Sequence, residues 1–401
     1  MFAVPSKVKE NVLVSLYRVL CCFALLLSCS LHAAPEKLLI WIEPSQARQG
    51  LEKVAARFSE TFGMAVEVEA PPIAASKYPL FAANGNGPDI IIWSHDKIGT
   101  WARQGVIAPV PLSAKQQAQF VPLAVQAMTF SNQVYAYPLA IEVLSLAYNK
   151  NWVSQAPKTW RDIEQLQVKL AAEQVQSIRW HDTDSHYQFP FLAAFGAYSF
   201  ARHHNQYDTS HSGIEAGNAH QGLDFLRDLY QSGWLVQGFG QHTIYNDFQQ
   251  QRQAMILVNP TQWRQLQQLD FPVGLTTLPE IYGRPIRPWI TVYAAMINRY
   301  SEQQDVAQYF IEQFLLTEPG LHALNSDVPL GVPAFIPYLN HIASHPWVQV
   351  SFNSLKHADL LPNVPKVGRL LAALTGVWQN LHSEVPSKEL LKYADKMVEM
   401  P

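Results

Sequence analysis

The sequence predicts an α/β fold, and three observations carry that prediction. Past residue 36, short apolar runs alternate with stretches whose apolar residues recur at helical spacing, the pattern of βαβ units around a mostly parallel sheet. Turn residues punctuate the passages, most plainly Asn84-Gly85-Asn86-Gly87-Pro88. Near residue 140 the alternation stops, and two β-rich runs follow one another without room for a helical crossover, so the chain reads as having a hinge near Ile141.

Taken in order, Leu38–Ile42 is an apolar strand, and Leu51, Val54, Ala55, Phe58 and Phe62 mark one face of a helix that Gly63 ends. Val66–Val68 is a second strand, Ser76–Ala83 a short helix and Asp89–Trp93 a third strand. The glycines of the 84–88 turn do not make a phosphate loop, because the spacing is wrong and no Lys-Ser/Thr pair follows. Val134–Pro138 and Val143–Tyr148 are the two β-rich runs, with Leu139–Glu142 as their connector. Thr159 is the N-cap of a helix opening at Trp160, and Asp162 stands at its third position to complete a capping box. Further helices fit Leu223–Tyr230, Asp305–Leu316 and Glu389–Val398. There is no internal repeat and no Gly/Ser linker, so two bodies here would be joined by extended strands rather than by a tether.

Composition narrows the function. A chain of 401 residues, 48% apolar and 15% charged, has the means to bury a sizeable core. A net charge of −3 argues against a nucleic-acid binder. The 11 Trp, 16 Tyr and 19 Phe supply rings for stacking on ligands. Cys21, Cys22 and Cys29 all precede residue 30, which excludes a disulfide framework, a Cys-ligated zinc, an iron–sulfur cluster and a Cys nucleophile from the rest of the chain. Lys7, Lys9 and Arg18 precede the apolar run Val19–Leu27, and small residues follow at Ser28, Ser30, Ala33 and Ala34. Residues 1–34 therefore read as a secretory signal cleaved after Ala33 or Ala34. The alternatives are a lipoprotein signal that leaves Cys29 lipidated, whose box Leu27 fits poorly, and an uncleaved anchor.

The run Lys37-Leu-Leu-Ile-Trp-Ile42, then Gly85–Asp96 and Ala136–Lys150, resembles the periplasmic maltose/maltodextrin-binding proteins. Pro157–Trp160, Leu315-Leu-Thr317, Pro329-Leu-Gly331 and Leu361-Pro-Asn-Val-Pro365 continue the likeness in the same order. The resemblance implies a periplasmic binding protein fold: two discontinuous α/β lobes, a hinge and a central ligand cleft. Its lobes would be 35–140 plus roughly 295–340, and 141–290 plus roughly 345–401. It further implies a periplasmic monomer without enzymatic activity or cofactor. Its ligand would be a carbohydrate, delivered to an inner-membrane permease and ATPase complex, with a chemosensory receptor as a further partner. A second reading, a sensory or partner-binding protein on the same fold with a degenerate sugar site, stays open beside it.

The resemblance also points to ligand residues. Trp93 and Asp96 match sugar-contacting positions, at the carboxyl end of a strand where ligands of open α/β sheets sit. Lys97 replaces an Arg, which keeps the charge and loses the bidentate fork. Glu142 matches a ligand carboxylate. Asp184 stands for a Glu, His186 for a Tyr and Tyr187 for a Phe. On the residues alone, Trp93 ends a core strand, Asp96 caps the next helix and Glu142 is a solvated hinge residue. The two His and two Asp within Trp180–Tyr187 also admit a metal site, although their spacing matches no established ligand pattern. As a carboxylate pair for glycoside hydrolysis, Glu142 and Asp184 lack a recognisable catalytic motif.

Elsewhere the family pattern is broken. An Asn, an Asp and a Lys that contact sugar are here Glu43, Ser45 and Gln46, and an acidic pair is Ala75 and Ser76. One stacking Trp is Thr261, with Trp263 matching a neighbouring Trp. A second is Leu371, followed by Ala372 for a Tyr and Thr375 for an Arg. At about 2 kcal/mol for each lost ring, the two losses would turn a micromolar maltodextrin site into a roughly millimolar one.

Overall fold

The structure, a computed structural model, describes residues 37–400 apart from 204, 205, 237 and 239. The expected signal peptide, its cleavage site and Cys29 lie outside the described residues.

The main strands are β1 (Lys37–Ile42), β2 (Ala65–Glu69), β3 (Ile90–Ser94), β4 (Tyr137–Val143), β5 (Ser145–Asn149), β6 (Gln176–Arg179), β7 (Gln253–Val258), β8 (Val273–Thr276), β9 (Trp289–Ile297), β10 (Val332–Pro333) and β11 (Asp359–Leu360). They build two sheets. The larger runs β10-β4-β9-β3-β1-β2, with β11 beside the start of β9; the smaller runs β8-β5-β7-β6. β1 is parallel to β2 and β3, as the βαβ pattern requires, while β9 enters antiparallel between β3 and β4.

The helix Arg48–Phe62 packs Leu51, Val54 and Phe58 against this sheet and stops at Gly63, which takes the left-handed conformation and bonds back to the Ser59 carbonyl. The helix Trp160–Ala171 starts with the expected reciprocal cap between Thr159 and Asp162. Helices Ala219–Gln231 and Ser387–Glu399 extend the predicted ones by one turn or less at each end, and the stretch predicted as Asp305–Leu316 is an α-helix, Gln304–Phe310, closed by a wider π turn.

Leu139–Glu142 is not a connector. It belongs to β4, whose seven residues are all buried. A strand held between two others, with both faces covered, shows no alternation from which to read it. The passage from the large sheet to the small one falls at Leu144, the single residue between β4 and β5. One apolar core gathers residues between 38 and 141 and between 290 and 338. The cores around the small sheet take residues from 144 to 289 and from 348 to 398. The molecule therefore has two discontinuous α/β lobes, and the chain passes between them more than once.

Candidate functional site

A cavity of about 950 Å³ opens between the two sheets. The large-sheet side is laid down by strand geometry. Successive side chains of a strand point to opposite faces, so Trp289, Thr291 and Tyr293 of β9 face the cavity while Ile290 and Val292 enter the core. In the ladder, Thr291 pairs with Glu142 of β4 and Tyr293 with Ser94 of β3, which sets Glu142 and the end of β3 on the same floor. Beyond β3, the turn His95–Lys97 carries Asp96 and Lys97 into the cavity, with Trp93 beside them. The opposite wall comes from His181, Asp184, His186 and Tyr187 at the start of the helix Ser185–Ala194, from Tyr245 of the helix Gln241–Gln249, and from Asn259 and Thr261 after β7.

Seven of the residues expected from the sequence meet here: Trp93, Asp96, Lys97, Glu142, Asp184, His186 and Tyr187. Gln46 is one layer beneath, buried, with its amide donating to Glu142 Oε1 at 3.2 Å. Trp263 does not join them. It is buried in the core of the small-sheet lobe, edge-on to Trp347 at 5.7 Å. Thr261, two residues earlier, takes the cavity position, because the helical turn Pro260–Gln262 runs on into the helix Trp263–Gln267 and side chains two apart on it point to different sides. Leu371 lines the cavity as a bare aliphatic side chain. Sequence reasoning missed Thr291, Tyr293 and Tyr245 as lining groups, and set Glu43 aside as a changed sugar-contacting position although it lines the cavity. The period-two pattern of 289–293 was the available signal for two of them; Tyr245 carries no local one.

Two of the carboxylates are paired. Asp96 is buried, which works against its charge, but the Lys97 ammonium at 2.6 Å wins and holds it below its ordinary value. Asp184 is the N-cap of its helix, accepting the backbone N–H of His186 at 2.9 Å and its ring Nδ1 at 3.1 Å. Burial pulls His186 down, yet the hydrogen bond and charge of Asp184 outweigh it and raise the imidazole above its usual range. The remaining pair is different. Burial, then the nearby charge of Glu43, push Glu142 up to about 8, while the Gln46 amide opposes the shift. Glu43 is also raised by burial, with Tyr293 and Ser45 pulling it back.

The His and Asp residues of 181–186 do not converge on a point. Asp182 turns away, accepting from Tyr230 at 3.0 Å and from the Gly238 N–H at 3.2 Å. Among the described residues no group of three or more His, Cys, Asp or Glu is arranged to hold a metal ion. Rings on both walls beside carboxylates and other hydrogen-bonding side chains suit the capture of a polyhydroxylated molecule.

The family model for the bacterial extracellular solute-binding protein matches residues 44–320. The chain belongs to this family. Relatives of this solute-binding protein include a maltotriose-binding protein of Pyrococcus abyssi, 24% identical over 73% of this chain and 65% of that one. A maltodextrin-binding protein of Bacillus subtilis is 26% identical over 58% of each chain. A galactooligosaccharide-binding protein of Bacillus subtilis is 21% identical over 83% of this chain and 82% of that one. The chain thus matches less than two thirds of the length of the first two relatives.

Proposed function

We propose that this solute-binding protein captures a small carbohydrate in the periplasm, without chemistry, and passes it to an inner-membrane permease and ATPase complex. The observation that carries this reading is the lining of the inter-sheet cavity, where Trp93, Tyr187 and Tyr293 supply apolar ring faces beside the hydrogen-bonding groups of Asp96, Lys97, Glu142, Asp184 and His186. Ring faces cover the C–H face of a sugar while charged groups bond its hydroxyls. The sugar ligands in the names of three relatives support the same class. We assign the ligand contacts to these eight residues, with Gln46 acting through Glu142, and divide the lobes where the two cores divide.

Maltodextrin is the first ligand to test, and the reading expects it to bind poorly. Thr261 and Leu371 line the cavity and offer no stacking plane. By the loss of about 2 kcal/mol per ring, maltose and maltotriose should bind at tens of micromolar or weaker. Calorimetry with both sugars, preceded by a thermal-shift screen of mono- to oligosaccharides, tests this. Sub-micromolar binding of either would mean that other rings replace the missing ones. A screen in which no saccharide raises the melting temperature would remove the sugar reading itself.

A further inference from the structure

We propose that the saccharide taken by this cleft bears a protonated amine, as hexosamines and their oligomers do, and that Glu43 and Glu142 receive the ammonium. The proposal rests on the sugar-binding reading above and narrows it.

Charge balance carries the argument. Of the four carboxylates lining the cavity, Asp96 is matched by Lys97 and Asp184 by His186. Glu43 and Glu142 stand in no ion pair among the described residues. Glu142 is only 6% exposed, and its hydrogen-bond partner is the neutral Gln46 amide. Glu43 lines the cavity, and its Oε2 is buried without a hydrogen-bond partner. A buried and a half-buried carboxyl facing one site with no ion-pair partner of their own are costly to ionise, since the low dielectric that strengthens a pair also penalises a lone charge. The raised Glu142 agrees with this: burial and the Glu43 charge outweigh the Gln46 amide and the charge of His186, so the carboxyl keeps its proton near neutrality.

A neutral sugar hydrogen-bonds through its hydroxyls but brings no charge against which Glu142 could ionise, and neither does an acetamido sugar. An ammonium supplies three donors and the missing charge, and the ring faces of Trp93 and Tyr293 add a cation–π component. A divalent metal fits less well, since among the described residues no third acidic or imidazole ligand converges on the two glutamates.

The test is calorimetry on the full chain with two matched sets, glucosamine, N-acetylglucosamine and glucose, and the β-1,4-linked dimers of each. Putrescine serves as an amine without a ring. In at least one set the aminated member should bind ten-fold or more tightly than both neutral members, with an affinity that falls as salt is raised. Glu43→Gln and Glu142→Gln, each checked for a native melt, should reduce that preference, the ratio of aminated to neutral affinity, five-fold or more, whatever each does to the neutral sugars. Neutral members that bind as tightly as the aminated ones in both sets overturn the proposal and leave the sugar reading intact. A preference that survives both substitutions also overturns it. Tight binding of putrescine with no binding of any saccharide, or no binding by any member of the panel, defeats both the proposal and the sugar reading.

Discussion

Glu142 on the cavity floor and His95 behind it respond to pH with opposite signs. His95 is fully buried behind the cavity, where its Nδ1 accepts the Val292 N–H at 3.0 Å and its Nε2–H donates to the Leu361 carbonyl at 2.7 Å. Only the neutral tautomer satisfies both bonds, and burial holds its pKa below the ordinary value of 6.5. Its contribution is complete above about pH 6.5 and is lost as pH falls through that depressed value. Glu142 behaves in reverse. With a folded pKa of about 8 against 4.5, its contribution is complete below pH 4.5 and is lost as pH rises through 8. Melting temperatures from pH 4 to 9 should therefore show that Glu142→Gln loses less stability than the wild type between pH 5 and 8. Parallel curves would mean that Glu142 is not raised. His95→Leu leaves two buried backbone groups without partners and should cost about 3 kcal/mol in urea unfolding. A cost under about 1 kcal/mol would mean that the ring is not the tie between the β3 turn, β9 and the 361 loop.

At the scale of elements, Gly331 shows what a residue-by-residue reading leaves out. It appeared in the sequence only as part of a Pro-Leu-Gly motif. In the fold it takes φ of 68°, and a Cβ there would lie 2.6 Å from the Pro260 ring and 2.9 Å from the Ile141 carbonyl. Gly63 has the same φ with open space around it. Gly63→Ala should thus cost about 1 kcal/mol, the conformational part alone, and Gly331→Ala clearly more, because backbone at the junction of the lobes must also move. Equal shifts in denaturation midpoint would contradict the close approach. Local chemistry was legible where it is self-contained: the Thr159 and Asp162 cap, the Gly63 stop and the β1 to β3 alternation all lie within a few residues of their cause. Strand β9 was not assigned, although it carries three lining residues, because its place between β3 and β4 depends on segments some two hundred and one hundred and fifty residues away. The Trp263 position failed for a related reason, since spacing along the chain does not reveal that the turn before it swings the ring into the core.

At the scale of the whole molecule, the two lobes keep separate apolar cores, and the cavity lies where those cores part. The direct link from β4 to β5 is a single residue, Leu144, so a rotation of one sheet against the other needs its backbone angles to change together with those of the other crossings. The floor groups Glu142 and Tyr293 belong to one lobe and Asp184, His186 and Tyr187 to the other, so a ligand that touches both walls gains most when the lobes approach. Binding energy would then go into closure, and closure would exclude water from the carboxylates and rings that line the cavity. Small-angle scattering should accordingly show a smaller radius of gyration at saturating ligand than in its absence. At a hundred-fold excess over Kd, the same sample should gain about 2.7 kcal/mol of stability by mass action. An unchanged radius with the full gain in stability would mean that the ligand enters a cleft that does not move, and that Leu144 is a connection rather than a hinge.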